Sequence, residues 1–275
     1  MIAHFSIWSQ FYNTKEPEEA ILEFEKLGLN YIELSSEHSI SLLEREGDPA
    51  DIGRDFANFC LQHGVKTLQA HMIFPSPIVT DKEIAGTLVR QMEMLGGMGV
   101  KYGVLHLDSM KGCGLEHGEI VERNIEALKN LLSLSSHTDT VLCIENLGSI
   151  CRGIDEILYI IDKVGSDRLA VCLDTGHLNL EKTSTQREFI LKAGSRLKAL
   201  HIANNDGTSD QHLAPFTGGR GIDFTEVVAA LREVDYNGLF NYEIGGESGA
   251  CPNPVKRIKY LGIKAGYDYL MGDLS

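Results

Sequence analysis

The sequence predicts a closed (β/α)8 barrel, the TIM-barrel class of α/β folds, as one domain over residues 1–275. Three observations carry this expectation. Short apolar runs alternate with longer amphipathic ones along the whole chain. Eight of each can be counted, with strand starts roughly 30 to 40 residues apart. No linker, low-complexity tract or charge block interrupts the alternation. Strand then helix, repeated, implies parallel strands joined by right-handed crossovers. Eight such units in 275 residues match a closed barrel; a doubly wound open sheet is the alternative.

Strands are predicted to begin near Ile2, Asn30, Lys66, Tyr102, Thr140, Leu169, Leu197 and Leu239. Helical patterns fill the gaps: Glu18 to Leu27, Pro49 to His63, Lys82 to Met98, Glu116 to Ser135, Ile154 to Val164, Gln186 to Ala193, Phe224 to Val234 and Pro254 to Leu270. Their apolar positions recur at three and four residues, as in Ile120, Ile125, Leu128, Leu131 and Leu132. Pro17, Pro49 and Pro254 stand at helix starts, where a missing N–H leaves no bond unmade. The joint from Trp8 to Thr14 and the turn from Asn204 to Ile222 are long, and long loops on such a barrel belong to its active face. The loops after strands 2 and 3 read as short.

The formal net charge of -14 disfavours tracking of a phosphate backbone, and no Lys/Arg run supplies a local basic groove, so nucleic acid is not expected as a partner. There is no apolar run long enough for a membrane span, and Met1 to Phe5 lacks the basic and apolar regions of a signal peptide. The six cysteines, at positions 60, 113, 143, 151, 172 and 251, form no close pair, and Cys143 and Cys172 read as buried thiols. That pattern points to a reducing cytoplasm. A homo-oligomer is left open.

In such a barrel the chemistry sits at the C-terminal ends of the strands. The stretch Val171-Cys172-Leu173-Asp174-Thr175-Gly176-His177 shows the pattern: an apolar strand ends in an acid, a turn follows, and a histidine stands three residues on. A hard oxygen and a neutral nitrogen leaving one strand tip suit a divalent metal; alternatively Asp174 caps the next helix. Other strand ends look alike. Strand 2 ends at Glu33, strand 3 at His71, strand 4 at His106 and Asp108, strand 5 at Glu145-Asn146, strand 7 at His201 and strand 8 at Glu243, with Asp206, Asp210 and His212 in the loop after strand 7. Taken singly, such a glutamate is more often a cap or a salt-bridge partner than a ligand, and such a histidine more often a hydrogen-bonded structural group. Converging on one mouth, several carboxylates raise one another's pKa, and one or more divalent cations relieve that.

The series Cys-Ile-Glu145-Asn, Leu-Asp174-Thr-Gly-His177, Leu-His201-Ile and Tyr-Glu243 resembles the xylose isomerase-like barrel superfamily, in order and strand placement and over nearly the whole chain. In its sugar isomerase and epimerase branch the resemblance implies a metal held by Glu145, Asp174, His201 and Glu243, the two glutamates doubling as the acid/base pair and His177 contacting a sugar or polyol substrate. Proton removal beside a carbonyl then passes through an enediolate that a metal stabilises. Adding His71, His106, His177, Asp210 and His212 matches the nine ligands of the related AP endonuclease family, which holds three zinc ions. The resemblance therefore implies one to three divalent ions (manganese, zinc, magnesium or cobalt) and leaves an endonuclease IV-like phosphodiesterase as the alternative to an isomerase or epimerase. Dehydratase or lyase chemistry, or a non-catalytic relic, are further alternatives.

Trp8 and Phe11 after strand 1 either stack on a sugar face or plug the barrel. Arg220, in Gly218-Gly219-Arg220-Gly221, either binds a substrate phosphate or carboxylate through its planar fork or is a solvated charge.

Overall fold

The computed structural model describes residues 3–148, 150–218 and 221–274. Ile2, expected near the first strand start, and Arg220 lie outside the described residues. Eight parallel strands follow one another around a sheet in chain order: β1 (His4–Trp8), β2 (Tyr31–Leu34), β3 (Lys66–His71), β4 (Tyr102–Leu105), β5 (Val141–Glu145), β6 (Leu169–Asp174), β7 (Leu197–His201) and β8 (Leu239–Tyr242). β1 pairs with both β2 and β8. The remaining seam closes beside β7, where Ile202 N–H donates to Asn241 O at 2.7 Å and Glu243 N–H donates to Ile202 O at 3.2 Å. A doubly wound sheet would leave two edges; this closure excludes it.

Ten helices surround the sheet among the described residues: α1 (Pro17–Leu27), α2 (Ser36–Leu43), α3 (Pro49–Gln62), α4 (Ile84–Met98), α5 (His117–Leu134), α6 (Ile154–Val164), α7 (Thr175–Glu181), α8 (Gln186–Ala193), α9 (Phe224–Glu233) and α10 (Asn253–Met271). Their inward stripes make the main core. On α6 this is Ile154, Ile157, Ile160 and Ile161, the spacing that puts four side chains on one helix face. None of the described helices is long and apolar enough to cross a membrane.

Two of these helices are additions to the sequence reading. α2 is capped by Ser35, whose side chain accepts from His38 N–H at 3.3 Å, and α7 by Asp174, which accepts from His177 N–H at 2.6 Å. The loop after β3 is also longer than expected. It runs over residues 72–83 and is pinned from three sides: Ile73 N–H donates to Gln91 Oε1 (2.8 Å), Phe74 N–H to Ser36 Oγ (2.9 Å) and Thr80 N–H to Asp108 Oδ2 (3.0 Å). Those partners come from distant elements, so the chain near His71 carries no local sign of them.

α3 and α4 approach each other backbone to backbone. A Cβ on Gly97 would meet the Ala50 carbonyl oxygen at 2.0 Å, and one on Gly53 would meet the Met94 carbonyl oxygen at 2.1 Å. Gly96, one residue away on the same helix, has nothing within 4 Å. The two neighbours are therefore expected to respond oppositely to alanine. Gly97→Ala should destabilise by roughly 1–3 kcal/mol, because the obstacle is backbone. Gly96→Ala should stabilise by roughly 0.5–1 kcal/mol, because it removes helix-interior glycine entropy. Urea unfolding of both variants checks this, and equal shifts would contradict the close approach.

Candidate metal centre

The barrel converts sequence order into a ring of strand tips. Glu145 ends β5, Asp174 ends β6, His201 ends β7 and Glu243 follows β8. One ligand-type atom from each of the four lies within 4.8 Å of the others, and all four side chains are nearly or fully buried. Four donors at about 2.0–2.6 Å from one ion can stand at most about 5.2 Å apart, so the set has the right size for a divalent cation. His201 Nδ1 lies 3.2 Å from Glu145 Oε2 and 3.3 Å from Glu243 Oε2.

A second group, His71, His106 and Glu145, adjoins the first and shares Glu145 with it. His71 Nδ1–H donates to the Met72 carbonyl at 2.7 Å, which leaves Nε2 as the free lone pair, 3.3 Å from His106 Nε2. His106 Nε2 is 2.8 Å from Glu145 Oε2. On the other flank Asp210 Oδ2 links two histidines, 3.3 Å from His177 Nε2 and 3.0 Å from His212 Nε2. His177 Nδ1 lies 3.0 Å from Glu145 Oε1, off the hydrogen-bonding line, and His212 Nδ1–H donates to the Glu243 carbonyl at 2.6 Å. All nine candidate ligands thus belong to one continuous patch.

The donor chemistry fits a metal. Asp174 Oδ2, Glu145 Oε1, His201 Nδ1, His177 Nδ1 and His106 Nδ1 are buried without a hydrogen-bond partner among the described residues. Orphaned buried polar atoms are rare and costly, and the first three belong to residues of the four-residue group. Asp174 caps α7 through Oδ1, and its Oδ2 is left without a hydrogen-bond partner among the described residues. Cys172 Sγ lies beneath the site near Glu145 and His201, but burial raises its pKa well above the usual thiol range, so it stays a thiol.

Other strand-tip acids serve the scaffold. Asp108 accepts from Val79 N–H, Thr80 N–H, the Thr80 hydroxyl and Met110 N–H. Asp206 is exposed and holds Thr208 within its own loop. Phe11 is fully buried against Tyr12 and Phe24, so of the two readings it plugs the core. Trp8 lines the mouth, its ring stacked 6.3 Å from His212 at 9°. Two features escaped the sequence reading. Phe74, in the pinned loop, stands 53 % exposed with its ring 4.9 Å from that of His106. Glu33, noted only as a strand end, is fully buried against His201. The cavity above the patch measures about 260 Å³, and no Lys or Arg lines it among the described residues.

The protonation pattern of the metal-free patch follows from these contacts. Burial, with Glu145 and Asp174, pushes Glu243 up to about 8 against the pull of His201. Burial opposes charge on His177, but Asp174, Asp210 and Glu145 outweigh it and lift that group to about 12. His212 is lifted to about 9, Asp210 and Glu243 overcoming its burial. His71 is pushed down to about 3 by burial and by the adjacent His106 and His201. Burial would raise Glu145, yet His106, His201 and His177 hold it well below the carboxylate range.

Glu243, His177 and His212 therefore bind protons more tightly in the folded chain than in the unfolded one. The stability contributed by Glu243 is complete below its unfolded value of 4.5 and is lost as pH rises to about 8. That of the two histidines is complete below 6.5 and is lost toward about 9 and beyond. Glu145, with its lowered pKa, adds stability above its unfolded value and is level over this range. The metal-free protein should lose stability between about pH 6.5 and 9. Urea unfolding with a chelator present measures it, and a profile rising over that window would contradict the contacts described.

Comparison with known proteins places this geometry. The family described as xylose isomerase-like TIM barrel matches residues 21–261. Among relatives in sequence, a probable endonuclease 4 of Mycoplasmopsis agalactiae is 32% identical over 112 residues (39% of this chain, 39% of that protein). A D-psicose 3-epimerase of Enterocloster bolteae is 32% identical over 120 residues (42% and 37%). The match to each of these two thus spans about two fifths of the relative's length. An L-ribulose 3-epimerase of a Methylomonas species is 24% identical over 256 residues, 87% of this chain and 82% of that protein. In structure, a D-psicose 3-epimerase crystallised in the presence of D-fructose superposes with a TM-score of 0.77 at 17% identity, covering 98% of this chain and 99% of the other. A closed eight-stranded barrel, metal-type donors on its C-terminal rim and a family match over most of the length lead to one assignment: the chain belongs to the xylose isomerase-like TIM-barrel family.

Proposed function

We propose that the protein is a divalent-metal-dependent sugar isomerase or epimerase that moves a proton at a carbon beside a ketose or polyol-ketone carbonyl. The pairing of Glu145 and Glu243 carries the reading. These two buried carboxylates come from well-separated strands and flank one histidine nitrogen, and Glu243 also lines a small cavity. At about 260 Å³ the cavity falls below the roughly 300–1,000 Å³ of drug-sized sites, which suits a single sugar. The sugar 3-epimerases among its relatives support the same class.

Glu145, Asp174, His201 and Glu243 would hold the ion. When bound, it supplies Lewis acidity toward substrate oxygens and balances the clustered negative charge. Glu243 takes the proton from one face of the substrate carbon and Glu145 returns one at the other, or the reverse. His177, between Glu145 and Asp210, is placed to hydrogen-bond a substrate hydroxyl. Trp8 and Phe74 form apolar walls that keep water from the reacting carbon. Arg220, outside the described residues, is retained as a candidate substrate contact. The test is incubation with manganese and a panel of ketoses in deuterated water. Deuterium should enter at the carbon beside the carbonyl, and no incorporation from any ketose or polyol ketone would refute the reading.

One observation favours a second reading, a multi-zinc phosphodiesterase. His71, His106 and Glu145 form a second group beside the first, and Asp210 bridges His177 and His212, so two further ions have candidate ligands. Zinc-loaded protein that cleaves abasic-site DNA and leaves ketoses unexchanged would establish it. The mouth, without a described Lys or Arg, argues against a duplex partner.

A further inference from the structure

We infer that Glu33, on β2, is a positioning residue for the metal centre: its buried carboxylate holds the Nε2–H of His201 and thereby presents Nδ1 to the ion. The inference rests on the reading of His201 as a ligand. Glu33 is fully buried inside the barrel, and both of its oxygens lie 3.0 Å from His201 Nε2. Asn241 Nδ2 donates to Glu33 Oε2 at 2.8 Å, and the Gln69 amide donates to the same oxygen. Asn241 is held in turn by Ser6, whose hydroxyl donates to Asn241 Oδ1 at 2.9 Å. One carboxylate is thus fastened, directly or through one link, to β1, β3, β7 and β8.

Such an arrangement is costly. A buried carboxylate requires pairing, and the ion-pair partner of Glu33 among the described residues is His201 alone. A scaffold tie between strands would not need a charge. A histidine ligand does gain from one. Imidazole must offer a lone pair from one nitrogen, and a carboxylate accepting from the other fixes which nitrogen that is and raises its basicity. Here the outer nitrogen, Nδ1, faces Glu145 and Glu243 with no hydrogen-bond partner among the described residues. Glu33, at 168 residues' distance in sequence, orients it from below.

The experiment uses the full chain loaded with zinc, which is diamagnetic. In the wild type, long-range proton–nitrogen correlation spectra should show His201 coordinated through Nδ1 and protonated at Nε2. Zinc affinity, by competition with a chromophoric chelator, should fall on the order of 10- to 100-fold in Glu33→Gln, which keeps the shape and an acceptor but not the charge. The double variant Glu33→Gln/His201→Gln should bind no more weakly than His201→Gln alone, since Glu33 acts through His201. Coordination through Nε2, wild-type affinity in Glu33→Gln, or full additivity in the double variant would each overturn the inference. If Glu33→Gln does not fold, the nitrogen assignment in the wild type decides. If His201→Gln binds zinc as tightly as the wild type, the ligand reading itself has failed and the inference falls with it.

Discussion

Replacing Glu243 with glutamine is expected to lower carbon-bound proton exchange by roughly 100- to 10,000-fold, the range over which a positioned general acid or base contributes. The amide matches the carboxylate in shape but cannot accept a proton at neutral pH. The backbone at this position is held by the Glu243 N–H to Ile202 O bond, which the substitution leaves alone. Because Glu243 also belongs to the four-residue donor group, metal content must be measured alongside exchange. Glu145→Gln requires the same control and should lose more metal, since Glu145 is shared by both ligand groups. A Glu243→Gln protein with full metal, intact fold and undiminished exchange would remove Glu243 as the base. Absence of exchange in the wild type, with metal-dependent cleavage of a phosphodiester, would instead select the second reading.

Metal removal should produce the largest change in stability. A ligand that binds only the folded state stabilises it by about 2.7 kcal/mol at one hundred times its dissociation constant, and by about 4.1 kcal/mol at a thousand times. In a chain of this size each kcal/mol moves the melting temperature by roughly 2–4 °C. Saturating manganese or zinc is therefore expected to raise melting by several degrees over the chelator-treated protein. Asp174→Asn should collapse that gap. Its Oδ1 can still accept the His177 N–H that caps α7, so the helix start survives, while Oδ2, without a partner among the described residues, is replaced by an amide that makes a poor ligand. Scanning calorimetry of both proteins, with metal and with chelator, gives the comparison. A gap of wild-type size in Asp174→Asn would take Asp174 out of the ligand set.

The strands and most helices were legible because their signals are local. An apolar run that ends in an acid or a histidine, such as Val171 to Asp174, declares a strand tip, and Ile154, Ile157, Ile160 and Ile161 declare a helix face within eight residues. α2 and α7 were not legible. Each is eight residues or fewer and starts within two residues of a strand end, so its first turn reads as the turn leaving the strand, whereas the equally short α8 stands clear of one.

The candidate ligands could be named from sequence because their chemistry is written in residue type, and the strand-tip rule put them on one rim. Which acids stay free for a ligand was decided only in three dimensions. Asp108 and Asp174 look alike in the chain. In the fold, the loop at residues 72–83 consumes the carboxylate of Asp108, whereas α7 takes one oxygen of Asp174 and leaves the other. Glu33 is the clearest case. Its partner His201 lies 168 residues away and meets it only because the barrel closes through β8. A hydrogen bond has a range of about three ångströms, so the state of each polar group depends on neighbours that sequence order does not supply.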